Sequence, residues 1–320
     1  MPDTVASPAL DPSVETVAFL GPEATFTQQA LLSDPELSQL RATPLPTISD
    51  VLAATAGGVV DLGFVPIENA IEGSVNVTLD TLTFEADLLI QREVVIDVQL
   101  NLLGLPDAEL ADVRTVASYQ VATAQCRHFM ASSLPGADSV SANSTAEAAR
   151  LVAERGDPSV AAIGTALAAE VYGLKILAEE IEDHPGNQTR FVAVARTGIP
   201  APSGHDKSTI VCFQRADRPG SLLAILQEFS ARAINLTKIE SRPTKRGLGD
   251  YCFIIDLEGH VSDELVADCL RDLKSKQADV KFLGSYPAAG DHGPDLRRHT
   301  EAAWRDADEW VQRLRSQIAR

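Results

Sequence analysis

Along most of the chain, short apolar runs of strand length alternate with stretches in which apolar residues recur every three or four positions. The runs predict strands over 16–20, 61–65, 88–103, 115–118, 139–142, 160–163, 175–178 and 190–195. The helical periods predict helices over 27–32, 49–56, 76–84, 122–132, 145–155 and 165–172. Strand and helix in regular alternation describe an α/β sheet with helices packed on its faces. The run 88–103 is long enough to connect two lobes, with the chain returning near Arg190. Several helices open on a polar cap directly after a strand: Thr25 and Thr27, then Asn143-Ser144-Thr145, then Thr165. Such starts turn backbone N–H groups toward a crevice at the strand ends, where they can hold an anion.

The pattern changes after a Pro- and Gly-rich linker at 197–207. Strand 209–214, helix 221–232, strand 235–240, a Gly-rich turn at 245–250, strand 251–257, helix 263–274 and strand 280–285 spell βαββαβ. That order is a ferredoxin-like domain. Beyond Pro287 the chain leads into a helix predicted over 296–318. Its Trp304, Ala307, Val311, Leu314 and Ile318 share one face, suited to docking on the chain's own domain or on a partner subunit. Residues 1–15, with Pro2, Pro8 and Pro12, read as a loose arm.

Composition narrows the function. A length of 320 residues is a prior for two domains, and 45% hydrophobic residues supply a real core. No apolar stretch approaches the roughly 18 residues of a membrane span, and residues 1–13 lack a basic start and an apolar block, so a cytoplasmic protein is expected. The four cysteines and six histidines form no CxxC or HExxH, which argues against a disulfide framework or a metal site. Basic residues number 27 against 45 acidic, a net charge of −18 that repels nucleic acid and anionic lipid. It also repels an anionic substrate, so an anion site needs local help from Arg, Lys or helix N-termini.

Four segments carry more polar chemistry than packing requires: Gly21-Pro22-Glu23-Ala24-Thr25-Phe26; Val65 to Ser74 with Glu68, Asn69, Glu72 and Gly73; Ser118-Tyr119-Gln120 with Gln125-Cys126; and Asn187-Gln188-Thr189-Arg190-Phe191. Each falls at a strand end or a strand-to-helix turn, where open α/β folds bind ligands. A fold gathering them would be a two-lobed cleft of hydroxyls, amides, one or two carboxylates and an Arg. Such a cleft suits a small polar anion handled by hydrogen bonds and acid–base chemistry without a cofactor. A binding protein and an enzyme both fit this description.

The ordered set resembles the prephenate dehydratase family. Thr189-Arg190-Phe191 looks like its TRF signature. Pro66-Ile67-Glu68-Asn69, Glu72-Gly73-Ser74 and Thr78-Leu79-Asp80 look like its PIEN, EGS and TLD segments, and Gly21-Pro22 with Thr25-Phe26 looks like its opening turn. Gly220-Ser221-Leu222-Leu223 and Glu240-Ser241-Arg242-Pro243 are similar to the GALV and ESRP motifs of ACT regulatory domains. The likeness spans Thr16 to Tyr286. Ala24 replaces the second glycine of the opening turn, which implies that its backbone need not be left-handed. Tyr119-Gln120-Val121 stands where the family often has His-Pro-Gln, while Ser118 and Gln125 keep the family spacing.

The resemblance implies a periplasmic-binding-protein-like catalytic domain of two lobes over 16–196, an ACT domain over 207–286 and a tail over 287–320. It implies a carbon–oxygen lyase that converts prephenate to phenylpyruvate with loss of water and carbon dioxide. Aromatisation drives that reaction, so neither cofactor nor metal is expected. Thr189, Glu68 and Arg190 are the implied catalytic residues, with Thr189 nearest the departing hydroxyl and Glu68 as a second proton donor. Thr25, Asn69, Ser74, Ser118, Gln125 and Phe191 are the implied substrate contacts, although Phe191 also reads as core. The two ACT motifs imply binding of L-phenylalanine as a feedback effector at Gly220, Ser221, Leu222, Leu223, Glu240, Ser241, Arg242 and Pro243, in a homodimer or homotetramer. Arogenate as substrate, and a non-catalytic amino-acid sensor, are the alternatives.

Overall fold

A computed structural model describes residues 9–214, 218–245, 247, 250–277, 279–290 and 309–317. One compact unit comprises Pro12–Thr81 and Val94–Ala193. Its chain runs β1 (Thr16–Leu20), α1 (Phe26–Ser33), β2 (Arg41–Leu45), α2 (Ile48–Ala56), β3 (Leu62–Asn69), β4 (Gly73–Ser74) and α3 (Asn76–Asp80). It continues with β5 (Leu89–Asp97), of which Val94–Asp97 belong to this unit, β6 (Asn101–Gly104), β7 (Thr115–Tyr119), α4 (Gln120–Ala124), α5 (Arg127–Ser133), β8 (Asp138–Ala142) and α6 (Thr145–Arg155). β9 (Val160–Gly164), α7 (Ala166–Tyr172), β10 (Lys175–Ala178) and β11 (Gln188–Ala195) complete it. One lobe holds the sheet β2-β1-β3-β11-β5 with β4 beside β3, and the other holds β10-β6-β9-β7-β8. Strand β1 is parallel to β2 and β3, and β7 is parallel to β8 and β9, as crossover helices require.

The expected caps are in place. Thr25, Ser144 and Thr165 each accept from a backbone N–H of the following first turn, and α6 and α7 end on the left-handed glycines Gly156 and Gly173. The 88–103 run divides into β5 and β6 around Val98-Gln99-Leu100. Strand β2 is absent from the sequence expectation for a physical reason. It is an edge strand whose RATPL stretch is almost wholly exposed and contains Pro44, so it has no buried face to imprint a pattern.

The opening turn corrects the reading of Ala24. Its φ is 66°, in the left-handed region, although it is not glycine. The conformation is held from both sides: its N–H donates to Gln28 Oε1, and its carbonyl accepts from Thr165 Oγ1 at 3.0 Å. Its methyl group is fully buried in the core of the second lobe, with Leu103, Ala162 and Ala168.

The other unit takes in Leu82–Glu93 and the described part of Val194–Arg320. Here β12 (Asp206–Phe213), α8 (Ser221–Ser230), β13 (Leu236–Pro243), β14 (Tyr251–Glu258), α9 (Glu264–Lys276) and β15 (Asp279–Pro287) follow the βαββαβ order. The sheet is β13-β14-β12-β15, antiparallel throughout. Ile210, Ile225, Phe229, Ile255, Leu257 and Leu273 fill the core between sheet and helices. The segment Leu82–Glu93 is anchored within this unit by the Lys207–Glu93 ion pair at 2.8 Å and by Lys281 Nζ donating to the Ala86 carbonyl at 2.9 Å. Of the predicted tail helix, residues 309–315 are helical, while 296–308 and Ile318 lie outside the described residues.

Candidate active site

The two lobes of the first unit enclose a cleft of about 880 Å³. The β1–α1 turn contributes Gly21, Pro22, Thr25 and Phe26; the β3–β4 turn contributes Asn69 and Glu72; β11 and the residue before it contribute Thr189 and Asn187. The second lobe supplies Tyr119, Gln125, Asn143, Ser144, Thr145 and Arg150. All four segments singled out from sequence therefore reach one cleft. The N-terminal residues of α1 and α6 also line it, and their dipoles favour an anion in a chain that is acidic overall.

Gln125 reaches the cleft because the helix expected over 122–132 is broken there. α4 ends at Ala124, and Asp183 caps α5 by accepting from the N–H groups of Arg127 at 3.1 Å and His128 at 2.9 Å. The Asp183 N–H in turn donates to the Gln125 carbonyl. Neighbouring Cys126 is wholly buried, and burial, reinforced by Asp183 and Glu182, pushes its thiol up to about 12. It is a neutral packing residue at physiological pH, not a thiolate nucleophile.

Asn69 is the hub. Its Oδ1 accepts from the N–H groups of Ile71 at 3.0 Å and Glu72 at 2.9 Å, which shapes the turn after β3. Its Nδ2 donates to Thr189 Oγ1 at 2.9 Å, to Asn187 Oδ1 at 3.0 Å and to the Gln188 carbonyl at 3.2 Å. Thr25 lines the same cleft while capping α1. Thr189, Asn69, Thr25 and Gln125 are thus brought together.

The other implied site residues stand elsewhere. Glu68 and Arg190 are outside the cleft lining and pair with each other, Arg190 Nη1 to Glu68 Oε2 at 3.3 Å. Neighbours along a strand face opposite ways, so Glu68 beside Asn69 and Arg190 beside Thr189 form a supporting pair across β3 and β11. Phe191 is buried and stacks on Phe64, ring centroids 5.6 Å apart. Ser74 pairs with Glu68 in the β3–β4 ladder and is not in the lining. Ser118 is completely buried, and its Oγ donates to the Ile163 carbonyl of β9 at 3.0 Å. Ser118→Ala is therefore expected to cost about 1 kcal/mol of stability and to leave KM for substrate nearly unchanged. Denaturant melts with steady-state kinetics check this, and a tenfold rise in KM would put Ser118 in contact with substrate.

The C-terminal unit has its own cavity, about 610 Å³, beside the start of α8. Gly220, Ser221, Leu222, Leu223 and Ser241 line it as the motifs implied, joined by Gln214, Arg218, Leu226, Tyr251 and Phe253. Gly220 has φ 88°, the conformation that glycine supplies at no steric cost. Glu240, Arg242 and Pro243 are not in the lining. Along β13 side chains alternate, so Ser241 faces one way while Lys238, Glu240 and Arg242 form an ion-paired row on the other face.

The chain is similar in sequence and fold to known proteins. A curated prephenate dehydratase of Mycobacterium leprae is 42% identical over 313 residues, 95% of each chain. The crystal structure of an Arthrobacter aurescens prephenate dehydratase in complex with L-Phe superposes with a TM-score of 0.85 at 38% identity, covering 94% of this chain and 99% of that one. GqqA, described as a novel type of quorum quenching acylase, is similar at 31% identity and a TM-score of 0.77, covering 86% of this chain and 98% of that one. The prephenate dehydratase family model matches residues 17–198 and the ACT domain model matches 208–275. The chain belongs to the prephenate dehydratase family, as a hydro-lyase of that type carrying a C-terminal ACT domain.

Proposed function

We propose that prephenate binds between the two lobes of the first unit, with its departing hydroxyl at Thr189. In the reaction the bond from the ring to its carboxylate breaks, and that electron pair enters the ring as carbon dioxide leaves. The ring carbon–oxygen bond breaks at the other end of the diene, and the oxygen takes a proton to leave as water. The protein's task is to align these two bonds and to stabilise the leaving oxygen. The observation that carries the assignment is the Asn69 Nδ2–Thr189 Oγ1 hydrogen bond of 2.9 Å at the cleft. Because Oγ1 accepts from Asn69, the hydroxyl proton of Thr189 is left to donate toward a substrate oxygen. Threonine is a feeble acid, so its part is a directed hydrogen bond, with Arg190 and Glu68 bracing the strands beneath. The helix N-termini at Thr25 and Ser144, with Arg150, offer the counter-field for the two carboxylates.

Incubation with prephenate, followed by phenylpyruvate absorbance in alkali, tests the reading. A second substrate is favoured by one feature: the Glu72 carboxylate on the cleft lining would pair with the ammonium of arogenate. Relative turnover on the two substrates decides between them.

Phenylalanine is the proposed effector at the Gly220 cavity. Support comes from the apolar Leu222, Leu223 and Leu226 beside a helix N-terminus that can face a carboxylate, and from the Arthrobacter relative solved with L-Phe. Gly220→Val is expected to weaken phenylalanine binding at least tenfold, because a β-branched residue resists a positive φ. Isothermal calorimetry on the full chain checks it, and unchanged affinity would remove that turn from the site. The exposed apolar residues Leu223, Ile239 and Tyr251 of this unit support pairing of two copies, a homodimer or homotetramer, which light scattering can measure. A cytoplasmic setting remains part of the proposal. Among the described residues no helix is long and apolar enough to cross a membrane.

A further inference from the structure

The cleft contains a closed hydrogen-bonded circuit whose direction is set by the backbone. Two backbone N–H groups, of Ile71 and Glu72, converge on one atom of the Asn69 amide at 3.0 and 2.9 Å. Backbone N–H groups only donate, so that atom is the oxygen and the amide nitrogen faces Thr189 and Asn187. Asn187 must then present its own oxygen to Asn69, at 3.0 Å, and turn its nitrogen to Gln125 Oε1, at 3.4 Å. Gln125 in turn presents its nitrogen to Glu72 Oε1, at 3.4 Å. The circuit starts at the Glu72 N–H and ends on the Glu72 carboxylate, which can only accept when ionised. No link can be reversed without pairing two donors or two acceptors.

We infer that Asn187, through its contacts with Asn69 and Gln125, is a positioning residue that keeps Thr189 an outward hydrogen-bond donor. Sequence alone left it without a role. Asn187 is 4% exposed, and its backbone carbonyl is also used, accepting from the Val98 N–H at 2.7 Å. Its side chain bonds to side chains of both lobes, Asn69 in the first and Gln125 in the second. Without it Asn69 Nδ2 loses one of three acceptors and Gln125 loses its donor. Asn69 stays fixed by the Ile71 and Glu72 N–H groups, but Gln125 is then held only through Glu72 and its amide oxygen is left without that donor, so Thr189 can spend its proton on a protein acceptor instead of the substrate.

This inference rests on Thr189 being the donor to the departing hydroxyl, so the experiment separates the two. Asn187→Ala, Thr189→Val and the double variant are compared by steady-state kinetics on prephenate in the full chain. Asn187→Ala is expected to lower kcat roughly tenfold to hundredfold, with KM changed less than about threefold. In the Thr189→Val background the same change should have little further effect, because the group it positions is already gone. Full multiplicative loss in the double variant, or a loss confined to KM, overturns the inference while leaving Thr189 in place. Normal turnover in Thr189→Val overturns the site assignment itself. If Asn187→Ala does not fold, Asn187→Asp keeps the shape and the acceptor for Asn69 but removes the donor to Gln125. It should show the same drop in kcat with phenylalanine binding intact, and wild-type kcat for it would end the proposal.

Discussion

Thr189→Val should keep the fold and lose turnover by roughly a hundredfold to ten-thousandfold, the range for removing a directed donor or general acid from a preorganised site. Valine has the branching of threonine and fits the same half-buried place on β11. Asn69 Nδ2 would still have the Asn187 oxygen at 3.0 Å and the Gln188 carbonyl at 3.2 Å as acceptors, so the turn after β3 need not collapse. The loss should therefore fall on kcat, with KM changed little, since the helix N-termini and Arg150 proposed to face the carboxylates stand elsewhere on the lining. Stopped assays of phenylpyruvate give both constants, and a thermal melt within a few degrees of wild type certifies the fold. Turnover near that of the unaltered protein would remove Thr189 from the chemistry.

Gly284→Ala should destabilise the C-terminal unit by about 3 kcal/mol or more, a large effect for one methyl group. Gly284 sits on β15 with φ 142°, beside an irregularity in the β12–β15 register between Thr209 and Ile210. A Cβ there would lie 2.5 Å from the Ile90 carbonyl oxygen and 2.9 Å from the Ile90 nitrogen. Both are backbone atoms of a strand, so relief requires moving β5 or β15 and not merely turning a side chain. The conformation and the clash act in the same direction. A lowered melting midpoint, with weakened phenylalanine binding by calorimetry, is the expected result. A melting curve superimposable on wild type would show that the two strands can separate without cost.

Much of the architecture was legible because the signals are local. Short apolar runs and capped helical stretches recur in order, and the caps Thr25, Ser144 and Thr165 are where the polar residues stand. The illegible parts depend on partners far along the chain. The break between α4 and α5 has no glycine or proline to announce it; Asp183, more than fifty residues on, makes it by capping α5. The left-handed Ala24 is held by Thr165, 141 positions away. The separation of Ser241 from Glu240 and Arg242 was latent in strand alternation, because neighbours on a strand cannot share a face.

By itself the sequence determined the family, the βαββαβ domain and the four segments that supply the cleft, since short-range patterns and motif order survive without coordinates. Which members of those segments face the cleft was decided only in three dimensions. Thr189 and Asn69 meet across two strands separated by 120 positions, while adjacent Arg190 and Glu68 turn away and Ser118 spends its hydroxyl on a neighbouring strand. The direction of a hydrogen bond is a property of a pair, and these pairs exist only once strands distant in sequence lie side by side in their sheets.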